Sequence, residues 1–99
     1  MKTTKGVCYI CGNNRGYELH HVFGGRNRKK SDKYGITVYL CHMCHNEPPN
    51  GVHFNANNAK RLKAEAQRVA MESYKWDCQK FIEEFGKNYD SERNDYKSS

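Results

Sequence analysis

Apolar positions along this chain fall into two rhythms. Between residues 17 and 40, two short runs, YELHHVF and ITVYL, are dense in aromatic and β-branched residues and read as β-strands. From residue 56 onward the spacing becomes that of a helix. The stretch NANNAKRLKAEAQRVAMESY contains no Gly or Pro and opens on asparagines able to cap a helix. It sets Ala59, Leu62, Ala66, Val69 and Ser73 on one face. After Trp76, the residues Cys78, Phe81, Ile82 and Phe85 repeat as i, i+3, i+4, i+7, a second helix that Gly86 is placed to stop.

This pattern divides the chain in three. Residues 1–55 hold four of the five cysteines and all five histidines; residues 56–86 are the helical part that completes the same domain; residues 87–99, KNYDSERNDYKSS, are polar and expected to be disordered. The predicted fold class is α+β. Between the two strands, GGRNRKKSDKYG reads as a glycine-bounded loop carrying Arg26, Arg28, Lys29, Lys30 and Lys33. A loop of that length between neighbouring strands is usually functional or mobile.

Composition sharpens the picture in two places. With 36% hydrophobic residues in a chain of 99, the core is modest and an added staple is expected. The net charge of +6 leaves room for a polyanionic partner, although a charge run by itself is as often a solvated face. No apolar run approaches the length of a membrane span, and MKTTKGVCYICG has no secretory h-region. The expectation is a cytoplasmic protein with no membrane partner.

Cys8-x-x-Cys11 and Cys41-x-x-Cys44 are two matched knuckles. Two thiolates three positions apart can bite one ion from a tight turn, and two such pairs complete a tetrahedron. In a reducing compartment this predicts a structural Zn²⁺ with no open coordination position. Cys78, on the apolar face of the second helix, is expected to be a core residue.

The histidines carry the candidate chemistry. With the cysteines committed to zinc, His20 together with His45 or His53 could hold a second divalent ion with open positions. His21 would then be free to act as a general base, while His42 points to solvent. Phosphodiester hydrolysis needs that division of labour: a base for the attacking water, a cation for the phosphoryl and leaving oxygens, and basic side chains for the backbone. Adjacent strand residues point to opposite faces, so both histidines can serve one site only if the strand ends there. The plain alternative is a half-buried strand with one histidine in the core and one exposed.

The combination CxxC … LHHV … LCHMCHN resembles the HNH endonuclease family. The longer string HHVFGGRNRKKSDKYGITVYLCHMCHNEPPNGVHFN resembles its phage and prophage members, and the resemblance covers roughly residues 7–75. It implies a small ββα-metal core in which His20 and His45 bind a catalytic ion, His21 is the base, and the four cysteines bind zinc. Two departures stand out. The family's middle Asn, which commonly orients the loop carrying the base, is replaced by Ile36, leaving Asn27, Asp32, Asn46 or no residue at all to take its place. The turn Pro48-Pro49-Asn50-Gly51 must also interrupt any helix starting at the second knuckle, so the long helix begins only near residue 56, and His53 becomes an additional candidate ligand.

The function expected from residues and resemblance together is a metal-dependent endonuclease acting on DNA, using Mg²⁺, Mn²⁺, Ni²⁺ or Zn²⁺. Arg15, Arg26, Arg28, Lys29, Lys30 and Lys33 would contact phosphates. The resemblance alone would add a phage origin and packaging or recombination partners. The rival readings are a zinc-stabilised DNA-binding module without catalysis and a zinc module that binds protein.

Overall fold

The computed structural model describes residues 1–90. Strand β1 (Glu18–His21) pairs antiparallel with β2 (Thr37–Leu40), Glu18 opposite Leu40 and His21 opposite Thr37. Four helices accompany this hairpin: α1 (Arg28–Lys33), α2 (His42–His45), α3 (Ala56–Tyr74) and α4 (Cys78–Phe85). The result is a small α+β architecture. No helix among the described residues is long and apolar enough to cross a membrane.

The connection between the strands is helical, where a loop was expected. A single 3₁₀ turn over Gly25–Asn27 runs into α1. The reason lies in Ser31, fully buried, whose hydroxyl accepts from the Phe23 N–H at 3.1 Å and donates to the Phe23 carbonyl at 2.8 Å. That double bond pins α1 to the end of β1. Val22 N–H then donates to the Ile36 carbonyl, closing the segment back onto β2.

Val22, Phe23, Ile36, Val38 and Leu40 from the hairpin bury their side chains with Leu62, Ala66, Phe81 and Phe85 from the long helices. Phe23 is the hinge of this core, its ring centroid 4.8 Å from that of Phe85 and 5.8 Å from that of Phe81. Asn55 caps α3 by accepting from the Asn58 N–H, and Asp77 caps α4 by accepting from the Lys80 N–H. Gly86, at φ +97°, ends α4 in the left-handed conformation expected of a terminal glycine. Cys78 is buried in the core, as its place on the helix face suggested.

Two expectations need correction. The buried stripe of α3 runs through Leu62, Ala66, Gln67, Ala70 and Met71, whereas Ser73 is exposed and Val69 only half-buried. The stripe is rotated because residues 88–90 dock beside it. The buried Gln67 accepts from the N–H groups of Tyr89 and Asp90 and donates to the Asn88 side chain at 2.7 Å. The second correction concerns the polar stretch from residue 87. The Tyr89 ring packs at a tilt against Phe23 and Asp90 is buried against Arg68, so 88–90 belong to the packed domain. The rest of the stretch, 91–99, lies outside the described residues.

Candidate metal centres and active site

Among the described residues, two clusters of side chains that could hold a metal ion form, and α2 contributes to both. In the first, the Sγ atoms of Cys8, Cys11, Cys41 and Cys44 all lie within 4.8 Å of one another. The Cys11 and Cys41 sulfurs are 3.8 Å apart, which is about the edge of a tetrahedron with metal–sulfur bonds of ~2.3 Å. The donor set therefore fits a zinc-type ion. Burial raises the Cys8 thiol, but the N–H groups of Cys11, Cys41 and Ile10 outweigh it and bring it down to about 6. Burial and the other three sulfurs push the Cys44 thiol up. Several thiolates cannot ionise side by side without a cation, and a bound divalent ion reverses that balance.

The second cluster brings together His20 from β1, His45 from α2 and His53 from the segment before α3, again with ligand atoms within 4.8 Å. The His45 and His53 Nε2 atoms are 3.0 Å apart, close to the separation of two imidazoles sharing an ion at ~2.0–2.1 Å. The His20 ring centroid is 5.0 Å from that of His45 and 5.2 Å from that of His53. Burial first, then the facing His45 and His53, lower the His20 imidazole to about 4; burial and His45 also lower His53. Both rings are thus held in the neutral form, the form that ligates a metal.

His53 reaches this position because the chain doubles back after α2. Gly51 N–H donates to the Glu47 carbonyl, Val52 N–H to Cys44 and His53 N–H to His45. A Cβ at Gly51 would lie 2.7 Å from the Glu47 backbone, so only glycine fits this return. The Pro-Pro turn does interrupt α2 after four residues, and α3 starts at Ala56.

His21 is not part of this trio. Its Nε2 lies 2.8 Å from an Asp32 carboxylate oxygen on α1. A carboxylate only accepts, so Nε2 carries a proton and the neutral ring keeps its lone pair on Nδ1. A cavity of about 230 Å³ is bordered by His20, His21, Gly24, His53 and Lys63 among others. It lies at the end of β1, which is how neighbours on opposite strand faces come to share one space.

Of the three candidates for the orienting role, only Asp32 touches His21. Asn27 donates to the Phe85 carbonyl and Asn46 to Glu18. Arg15, Arg26, Arg28, Lys29 and Lys33 are exposed. Lys30 differs from them: its ammonium donates to the Glu84 carbonyl and lies 3.9 Å from the Glu84 carboxylate, docking α1 on α4. His42 is exposed but engaged, with Nδ1 3.0 Å from Glu18 and Nε2 2.9 Å from Glu47. With both nitrogens on carboxylates, it has no lone pair to offer a metal.

Two residues at the site escaped the sequence reading. Lys63, four positions after Ala59 on α3, lies outside the predicted apolar set yet borders the cavity. Glu18 holds His45 Nδ1 at 2.8 Å. The signal for Glu18 was present, because residues two apart on a strand share a face and His20 was already a candidate. No family model, curated protein or solved structure matches the chain.

Proposed function

We propose that the protein is a metal-dependent HNH-type endonuclease that hydrolyses DNA phosphodiester bonds, with a zinc-stapled ββα-metal core. The observation that carries this reading is the cavity at the end of β1, bordered by both members of the histidine pair, one clustered with two further histidines and the other paired with a carboxylate. His20 turns to His45 and His53, while His21 is fixed by Asp32. A divalent cation on His20, His45 and His53 would supply the Lewis acid for the phosphoryl and leaving oxygens.

The chain's own groups do the rest. His21 Nδ1 takes the proton of the attacking water, and Asp32 stabilises the imidazolium that results. Lys63 offers its ammonium to a non-bridging phosphate oxygen at the cavity wall. Arg26 lines a neighbouring groove that shares Gly24 with the cavity, and Arg28, Lys29 and Lys33 lie exposed on the following helix. These charges suit a strand running from the groove to the histidines. Cys8, Cys11, Cys41 and Cys44 would hold a structural zinc and so fix α2, which carries His45.

The test is cleavage of supercoiled plasmid by zinc-loaded protein without added metal, then with Mg²⁺, Mn²⁺ or Ni²⁺, beside His21→Ala. Metal-dependent nicking that disappears in a folded, DNA-binding His21→Ala variant is the expected result. Wild-type protein that binds DNA but cuts with none of these ions would instead be a zinc-stabilised DNA-binding module.

A further inference from the structure

Glu18 makes three contacts in one small space, and all are to the same turn of chain. One carboxylate oxygen lies 2.8 Å from His45 Nδ1 and 3.1 Å from the Asn46 amide nitrogen. The other lies 3.0 Å from His42 Nδ1. Since an ionised carboxylate only accepts, each imidazole Nδ1 must donate to it. For His45 this has a chemical consequence. With its proton on Nδ1, its lone pair is on Nε2, the atom 3.0 Å from His53 Nε2. Asn46 Nδ2 also approaches His45 Nδ1 at 3.1 Å, but a protonated Nδ1 cannot accept from it. That approach reflects two donors converging on one carboxylate oxygen.

We propose that Glu18 is a positioning residue for metal binding: it sets the tautomer and the ring orientation of His45, so that Nε2 faces His20 and His53. The inference deepens the histidine metal site proposed above and rests on it. Three features favour this role over a surface ion pair. His45 is the more enclosed partner, its side chain 13% exposed, so its ring has few alternative orientations. Glu18 lies on β1 two residues before His20, so one strand carries both a metal ligand and the carboxylate that aims the second ligand. Through His42 and His45, Glu18 also grips α2 at both ends, and Cys44 lies between them. The strand thereby holds the single turn that carries both a candidate thiolate ligand and a candidate imidazole ligand. Carboxylates in this relation to a ligating histidine typically change metal affinity by about 10–100-fold.

Glu18→Gln is the variant of choice, because it keeps the shape while replacing the acceptor pair with one acceptor and one donor. Zinc-loaded wild-type protein, Glu18→Gln, Glu18→Asp and His42→Ala would be titrated with Mn²⁺, with free Mn²⁺ read by electron paramagnetic resonance. Mn²⁺ is a poor competitor for four thiolates, so the histidine site is read separately. Binding weakened about 10–100-fold in Glu18→Gln, partly restored in Glu18→Asp and within about twofold of wild type in His42→Ala is the expected result. Glu18→Gln binding Mn²⁺ as tightly as wild type would overturn the role of Glu18 while leaving the metal site standing. Failure of the wild type itself to bind Mn²⁺, Ni²⁺ or Co²⁺ at these histidines would overturn the site, and Glu18's role with it. A second readout needs no variant to fold. Nitrogen-15 shifts of the wild-type histidines should show His45 protonated on Nδ1, and a proton on Nε2 would overturn the proposal.

Discussion

The cysteine and histidine clusters are alike in compactness and unlike in almost everything else. Each keeps its candidate ligand atoms within 4.8 Å. The cysteines come from two knuckles of identical local spacing, with Cys8 and Cys41 buried in the core. Four sulfurs around one ion leave nothing for a substrate, which suits a staple. The histidines come from three separate pieces of chain and border a cavity. Three imidazoles leave coordination positions open, which suits chemistry. On the proposed reading, one chain would build a closed and an open site from neighbouring residues, Cys44 and His45. What separates them is donor type and enclosure.

Removing the ions should split the two clusters most widely. A structural zinc is worth about 10–16 kcal/mol in small zinc domains, and this core is thin. Stripping the cysteine site with a strong chelator, or substituting Cys41→Ser, should abolish the cooperative thermal transition followed by near-ultraviolet circular dichroism. His20→Ala should leave that transition within a few degrees of wild type. Comparable losses in both variants would erase the distinction between staple and reaction site.

If the proposed endonuclease reading holds, His21→Ala should lower the plasmid-cleavage rate by about 10²- to 10⁴-fold, the usual contribution of a general base, at unchanged Mn²⁺ affinity. His20→Ala should lower both quantities. Asp32→Ala should have a smaller effect than His21→Ala, about tenfold or somewhat more, because Asp32 acts through His21 and is largely exposed. Steady-state rates on a short duplex would rank the two. The smallest effects belong to the basic surface. Arg28→Ala or Lys29→Ala should weaken DNA binding and reduce the slope of log K against log salt by about one each. Lys30→Ala should leave the slope unchanged and lower stability instead, because its ammonium is spent on Glu84.

The two clusters were also unequally legible in the sequence. A CxxC pair states its own geometry, because both ligands sit in one tight turn, so all four cysteines could be named before any fold was known. The histidine trio depends on tertiary return. His53 joins only because residues 46–53 fold back through backbone bonds to Cys44 and His45, which proline and glycine hint at without specifying. Asp32 was one of three candidates to orient the base, and only the packing of α1, through buried Ser31, selects it. Among the elements, both strands, the late start of α3 and the stop at Gly86 follow from local patterning. The helicity of residues 25–33 does not, being imposed by a serine whose anchoring role no periodicity reveals. Gln67 misleads in a similar way: a polar residue on the apolar side of α3 is buried because three residues that follow α4, 88–90, need its amide.

The claim that this chain carries one closed and one open metal site is tested most directly by crystals of the zinc-loaded protein soaked in Mn²⁺, with anomalous maps at both absorption edges. The expected result is a zinc peak among the sulfurs of Cys8, Cys11, Cys41 and Cys44, and a separate manganese peak among His20, His45 and His53. A manganese peak elsewhere, or none at the histidines under saturating Mn²⁺, would contradict it.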